Sequence, residues 1–485
     1  MYQPKYQQLT FENFHLPFGG KLDPENRWVK LADMIPWHVA EKMYVRNFPS
    51  KRGAPALTVR MALGSLIIKE KLGLSDLETV EQVKENPYLQ YFIGLESYQY
   101  EAPFDASMLT HFRKRLKHAD LAALQEELLK QHREQACRKS NDEDDDADSG
   151  SANKGQLIVD ATCAPADIAY PTDIGLLNEA REKTENIIDQ LYANAPKQLG
   201  KPRTYRRRAR KDFLAAIMKR NLSKQALRRA IFKQLQYIGR NLKHIGNLCE
   251  TVPLTVLTAR WYRNLLVVSE LYRTGSKSIS DRLVSISQPH VRPIVRGKAA
   301  ARTEFGMKLS ISVVDGLSLP ERMSWNNYNE GCDLVRDIER YQERYGSYPE
   351  SVHADKIYRT RANRQWCKAR GIRLSGVPLG RPPKDEAKNR ERRRQIKRDE
   401  GIRNAVEGKF GQPKRRYGLN RVMARLAESS KTVVSIIFLV MNLDRLLASS
   451  FLRLFEWMLL AFCDRRTLSF RPTSRVEVYS CSSMV

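Results

Sequence analysis

Two short apolar, β-branched runs each close on an aspartate, Leu157-Ile158-Val159-Asp160 and Ser351-Val352-His353-Ala354-Asp355, and no other feature constrains the chain as tightly. Such runs read as strands, and a carboxylate at the end of a strand is positioned by its sheet. A third acid follows in Arg403-Asn404-Ala405-Val406-Glu407, with Lys414 beyond it. The arginine stands one helical turn before the glutamate, and the lysine stands two turns after it if the helix continues. Glu407 would then lie between two cations. Strand, strand, helix is an order in which three carboxylates can meet around divalent metal.

The first segment, to about His118, reads as helical. Thr58 to Leu72 carries Val59, Leu63, Leu66 and Ile67 at helical spacing, Gly73-Leu74 breaks it, and Ser75-Asp76-Leu77-Glu78 opens the next helix as a capping box. A third amphipathic piece puts Met108, Leu109, Phe112 and Leu116 on one side and Arg113, Lys114, Arg115 and Lys117 towards solvent. Helix, tight turn, helix, with basic edges that include Lys51, Arg52 and Arg60, predicts an all-α, helix-turn-helix-like N-terminal domain that contacts DNA. A bundle whose basic residues are only solvated is the other reading. Asn141 to Ser151 is acidic, lacks large apolar residues and reads as a linker. The expected organisation is a helical N-terminal domain over 1–140, a linker over 141–154, a catalytic domain over 155–467 and a disordered tail over 468–485.

Beyond the linker, Asp167 and Asp173 compete with Asp160, although Asp173 is better placed to cap a helix starting at Ile174. About 175–275 reads as a helical insertion, strongly basic from Lys201 to Lys243. Phe213, Leu214, Ile217, Leu227, Ile231, Leu235 and Ile238 predict one packed face. The opposite face, headed by Arg206, Arg207, Arg208, Arg210 and Lys211, suits a clamp on the DNA backbone, where phosphate contacts bind without reading sequence. Strands are expected at 282–287, at 303–314, in the run closing on Asp355 and at 372–376, with a helix at 361–370. The result is an α/β fold, an interrupted mixed sheet with flanking helices. Pro382 to Lys397 reads as an exposed loop or helix leading to Glu407.

Composition narrows the function classes. A net charge of +28 over 485 residues points to a polyanionic partner. The seven cysteines are scattered with no C-x2-C pair, which argues against zinc and for a reduced cytosolic setting. The N-terminus lacks a signal pattern. The apolar runs 432–441 and 451–463, separated by Asn442, Asp444 and Arg445, are too short to cross a bilayer and read as buried helices, so no membrane is expected. No G-x4-G-K-[ST] loop is present, so no nucleotide cofactor is expected. Serine and cysteine nucleophiles lack a partner, and His353 reads as a packed strand residue. Carboxylates that hold two magnesium ions roughly 4 Å apart can activate an attacking oxygen and stabilise the leaving oxygen of a phosphodiester.

The sequence resembles bacterial insertion-sequence transposases of the DDE type, the InsH-like group, to about residue 460. The resemblance rests on Pro103 to Leu116, on Val159-Asp160-Ala161-Thr162 with Tyr170-Pro171-Thr172-Asp173, on Gln288 to Lys298, on His353-Ala354-Asp355, and on the R-x3-E-x6-K pattern of Arg403 to Lys414. It implies an RNase H-like catalytic fold in which Asp160, Asp355 and Glu407 hold two Mg2+ or Mn2+ ions. Water would nick DNA at the element end, and the freed 3′-hydroxyl would attack target DNA. Lys414 would contact DNA, and Arg403 would orient Glu407 or a phosphate. The implied partners are double-stranded DNA, both terminal inverted repeats and target, and further copies of the chain as a homodimer or higher oligomer bridging the ends, in the bacterial cytoplasm at the nucleoid. Where the family often has tyrosine, three residues before the arginine, this chain has Glu400, a second candidate beside Glu407 that lacks cations at the matching spacing. Two other functions fit parts of the pattern: a non-catalytic DNA-binding regulator, and an RNase H-like nuclease without strand transfer.

Overall fold

A computed structural model describes residues 10–16, 19–48, 55–140, 153–196, 200–219, 221–255, 283–295, 303–380 and 385–467, with a few single positions besides; at 135–140, 405–407, 410 and 450–467 only the backbone is described. The N-terminal helices are α1 (Arg27–Met34), α2 (Trp37–Val45), α3 (Val59–Leu72), α4 (Asp76–Glu85), α5 (Pro87–Phe92), α6 (Met108–Arg115) and α7 (His118–Ser140). Local chemistry sets their ends as the sequence predicts. Thr58 accepts from the Met61 amide, Gly73 ends α3 at φ 69°, and Ser75 accepts from the Glu78 amide.

The sheet has six strands: β1 (Gln156–Pro165), β2 (Arg292–Val295), β3 (Thr303–Val314), β4 (Leu317–Ser324), β5 (Ser351–Ala354) and β6 (Arg373–Leu374). Their order is β2-β3-β1-β5-β6, with β4 also on β3. β3 pairs antiparallel with β1, β2 and β4, whereas β1–β5 and β5–β6 are parallel. This is the expected mixed sheet with flanking helices. The expected strand at 282–287 does not form: the described part, Leu283 to Ser287, is a loop whose Val284 and Ile286 are buried. β1 does not end at Asp160 but continues to Pro165, because its pairing with β3 runs on to Gly306.

Between β1 and β2 stand α8 (Asp173–Ala193), α9 (Arg206–Ile217) and α10 (Lys224–Cys249). Thr172, not Asp173, caps α8, accepting from the Gly175 amide. α8 and α10 share an apolar core around Leu177, Ile187, Ile238 and Ile245. The packed face predicted for this insertion is only partly realised, since Leu214, Ile217 and Leu227 are exposed and only Ile238 of the predicted set is buried.

One face of the sheet is covered by α11 (Leu334–Tyr345) and α12 (Arg361–Ala369), the other by α13 (Glu386–Arg416) and α14 (Ala427–Thr467). α14 is one helix, not two. The polar residues expected to divide it are used inside it: Asn442 donates to the Ser318 carbonyl (2.8 Å) and accepts from its amide (2.9 Å), and Asp444 takes Lys71 and the Tyr417 hydroxyl. Its stretch Ala427–Ser449 is long and apolar enough to cross a membrane by length and composition, but 78% of that window is buried inside the protein. There it packs on α3, α6, α7 and β4, so the N-terminal helices and the sheet share one apolar cluster. The acidic stretch 141–152 and the tail 468–485 lie outside the described residues.

A buried ion cluster fastens α7 and α11 to the sheet. Glu321 of β4, whose side chain is 0% exposed, accepts from Arg340 at 3.0 Å, from Arg344 and from Ser312, while Arg344 also reaches Glu126 of α7 at 3.0 Å. Burial pushes the Glu321 carboxyl up, but these donors more than offset it and hold it below the usual range. A depressed folded-state pKa contributes stability that is present above the unfolded value and lost as pH falls through the folded one. Glu321→Gln should therefore cost about 3–5 kcal/mol at pH 7. It should also flatten the stability loss of the parent below about pH 4. Urea unfolding at pH 7 and at successively lower pH measures both.

Candidate active site

The parallel register of β1 and β5 brings the two aspartates together. Val159 stands opposite Ala354, so Asp160 and Asp355 occupy the next position on each strand line. Neighbouring strands lie about 4.8 Å apart, and side chains in register on parallel neighbours project to the same face. That face also carries Ile158 and His353, and it is the one α13 covers. Asp160 is half-buried in the central strand, and its Oδ1 accepts from the Ala161 amide at 2.7 Å. Asp355 follows the end of β5, 54% exposed at its side chain, and accepts from the Lys356 amide at 2.7 Å.

α13 delivers the third element. The helix continues through Arg416, so Arg403, Glu407 and Lys414 all lie on it as the spacing predicts. Arg403 donates to Asp355 Oδ1 at 2.8 Å, which was not foreseen: the sequence pairs Arg403 with Glu407. The Glu407 backbone is one turn further along, about 6 Å by helix rise, and its side chain lies outside the described residues. Glu400 is exposed, and Lys414 is half-buried on the last turn. Among the described residues no group of three His, Cys, Asp or Glu side chains could hold a metal ion. The sheet supplies two carboxylates, hard oxygen donors of the kind Mg2+ and Mn2+ take, and Asp355 already carries a cation in Arg403.

Cations gather on this side of Asp355. Arg359 donates to the Ala354 carbonyl at 3.2 and 2.8 Å. Burial, then the neighbouring Arg364 and Arg403, lowers its pKa. Lys356, Arg359 and Arg403 line a cavity of about 250 Å³ with Ser375 and Asn404. No sequence signal points to Arg359, because its place depends on where β5 ends. Asp167, the rival acid, pairs with Arg421 at 2.6 Å near the far end of β1. On the opposite face Glu330, Asp333 and Asp337 are each paired, with Lys308 (2.8 Å), Arg322 (2.8 Å) and Arg336 (2.9 Å).

The predicted DNA contacts fare unequally. Arg60 is buried and donates to the carbonyls of Tyr91 (2.9 Å) and Phe92 (3.1 Å), so it holds α5 and cannot reach a phosphate. Arg113, expected in solvent, grips Asp76 with both amino groups at 3.0 and 2.6 Å. Arg115 lies over the Phe48 ring, 5.0 Å from its centroid. Lys114 is exposed, and Lys51 and Arg52 lie outside the described residues. In the insertion Arg206 pairs with Asp189, whereas Arg207, Arg208, Arg210 and Lys211 are exposed on α9. Tyr205, at their head, lies beneath Arg203 and Arg240.

The Arg403–Asp355 pair is 35% and 54% exposed, so solvent screens it. Arg403→Gln should therefore change folding stability by no more than about 1 kcal/mol in urea unfolding; a larger loss would make the pair a structural tie.

Two stretches of the chain are similar to known families. Residues 352–444, which contain Asp355, Arg403 and Glu407, match the family described as transposase DDE domain, and residues 17–115 match the family described as transposase domain (DUF772). The chain is 38% identical over 162 residues to an uncharacterized protein, ORF8 in the nfe locus of Rhizobium meliloti, covering 33% of this chain and 71% of that protein. No solved structure matches it. With one transposase domain matched over the N-terminal helices and a second spanning Asp355 and the helix of Glu407, the chain belongs to the DDE transposase family.

Proposed function

We propose that the chain is a DNA transposase that cuts at the ends of a mobile element and joins the freed 3′ ends to target DNA, with Asp160, Asp355 and Glu407 as its metal-holding acids in an RNase H-like core. The observation that carries this reading is the β1–β5 register, which sets Asp160 beside Asp355 under the helix that bears Glu407. Two bound Mg2+ or Mn2+ ions would supply activation of the attacking oxygen and stabilisation of the leaving oxygen.

The chain's own residues then have separable tasks. The sheet fixes Asp160 and Asp355, so their separation is set by strand spacing and not by loop motion. Arg403 holds Asp355 in one orientation. Arg359, Lys356 and Lys414 offer positive charge to the phosphates that flank the scissile bond. The exposed face of α9 and Lys114 add backbone contacts further from the chemistry, in keeping with the surplus of +28. Cutting two ends and joining both to one target calls for at least two copies of the chain. Its place of work is the cytoplasm, at the nucleoid.

Asp160→Asn, Asp355→Asn and Glu407→Gln should each lower cleavage by at least about 10²–10³-fold while end binding stays within a few-fold. Labelled element-end DNA and a plasmid target, with magnesium, manganese or chelator, separate the possible activities. Joined product that depends on metal and on all three acids supports the transposase reading. Nicks that are never joined would instead indicate a nuclease, and binding without cleavage a regulator. Association should also fall steeply with salt, with each phosphate contact adding about −0.9 to the log–log slope. Replacing Arg207, Arg208 and Arg210 together by glutamine should flatten that slope by about 2–3. An unchanged slope would take α9 out of the DNA interface.

A further inference from the structure

We propose that Asp399, held by Arg373, is the positioning residue that fixes where α13 presents Arg403 and Glu407 to the two sheet aspartates. The inference rests on the reading of Glu407 as the third acid, and it assigns a part to residues outside the R-x3-E-x6-K pattern.

The argument begins with what α13 lacks. Over 386–401 the helix carries a single large apolar side chain, Ile396, and among the described residues of α13 only Asp399 and Pro413 are buried. A stretch that is polar all round gains little from apolar burial against a sheet, so specific polar contacts must set the position of this half of α13. Asp399 supplies them at one end of the critical segment. It is 5% exposed, and its two oxygens accept from one Arg373 amino group at 2.9 and 2.8 Å. Gln395, one turn earlier, donates to it at 3.0 Å. Arg373 belongs to β6, which pairs with β5, so the contact ties α13 to the strand that ends at Asp355.

His353 completes the seat. Its ring is 0% exposed on β5, its Nε2 stands 3.2 Å from Ser351 Oγ, and its Nδ1 lies 3.8 Å from Asp399 Oδ1. At the other end of the segment Lys409 donates to the Gly316 carbonyl at 2.9 Å. Arg403 and Glu407 therefore lie between two polar anchors. Asp399, Arg403 and Glu407 follow one another at single-turn intervals, so they share a side of the helix. Fixing Asp399 against β5 and β6 thereby fixes the rotation of α13 that turns Arg403 towards Asp355.

The test is hydrogen exchange on the intact protein, read by peptide, together with calorimetric titration of Mn2+. Asp399→Asn and Arg373→Gln should each speed exchange across 400–412 by at least about tenfold, with the peptides of β1 and α11 unchanged. Arg373 is 39% exposed, so its variant spares the core if the aspartate variant does not fold. Both should weaken Mn2+ binding about tenfold, and Asp399→Glu should recover part of each effect. Arg394→Gln, exposed on the same helix, should alter neither. Unchanged exchange across 400–412, or faster exchange throughout the chain, would overturn the proposal. So would Mn2+ binding that stays at the parent's strength while 400–412 loosens. If the parent neither binds Mn2+ nor cuts end DNA, yet 400–412 still loosens in the variants, the anchoring stands and the metal-dependent reading of the site fails.

Discussion

The parallel pairing of β1 with β5 is the constraint on which the rest depends. Strand side chains alternate with a period of two, so a slip of one residue would send Asp160 and Asp355 to opposite faces. The register is fixed from several directions at once. Leu157, Val159, Val352 and Ala354 are buried together against Leu334, Ile338 and Tyr341 on one face. The ladder extends beyond the named pairs through Lys154 to Tyr348 and Glu350 to Gly155. On its other edge β1 is paired with β3 from Ile158 to Pro165. A slip would expose that whole apolar set, at roughly 1.5–3 kcal/mol for each large side chain, so the adjacency of the aspartates is as secure as the core itself.

Acids serve two purposes in this molecule, and their surroundings separate them. Glu321, Asp333 and Asp337 are buried and matched by arginines, and removing either side of such a pair leaves a charge without compensation. Asp355 is open to solvent at the end of a strand, and Lys356, Arg359 and Arg403 stand near it, with Asp399 and Glu400 lining the same cavity, on a chain with a net charge of +28. Burial, and after it the neighbouring Arg364 and Arg403, lower the pKa of Arg359, and the like-charge part is relieved when a polyanion approaches. On the proposed reading, the excess is what DNA meets first.

How much of this could be read in the sequence depends on whether the determining contacts are local. The α3–turn–α4 unit, the long strand Thr303–Val314 and the one-turn spacing of Arg403 and Glu407 depend on caps, alternation and helical period, and all three appear in the fold. The short strands β2 and β4 and the helix α11 went unread. Charge alone marks Arg60 as exposed, whereas its guanidinium satisfies the open carbonyls of Tyr91 and Phe92 in the core. Asn442 and Asp444 look in the sequence like a break in an apolar run, and each instead has a partner elsewhere in the chain. Of the proposed site, the order of its acids along strand, strand and helix was legible. The pairing of Arg403 with Asp355 spans 48 positions and was not.

The three acids differ in how firmly the fold holds them, and this follows from the elements that carry them. Asp160 and Asp355 are set by strands whose displacement would open the main core, so they move only when the domain opens. Glu407 lies on a helix of whose described residues only Asp399 and Pro413 are buried, and its segment is tied by Asp399 at one end and by Lys409 at the other. Local opening costs less where few apolar contacts must be broken, so α13 belongs to the low-stability end of the structure. On the proposed reading, two acids are permanent and the third is present to the extent that α13 is seated. A surface of excess positive charge around that seat makes the same ligand that needs the third acid also the one able to hold the helix in place.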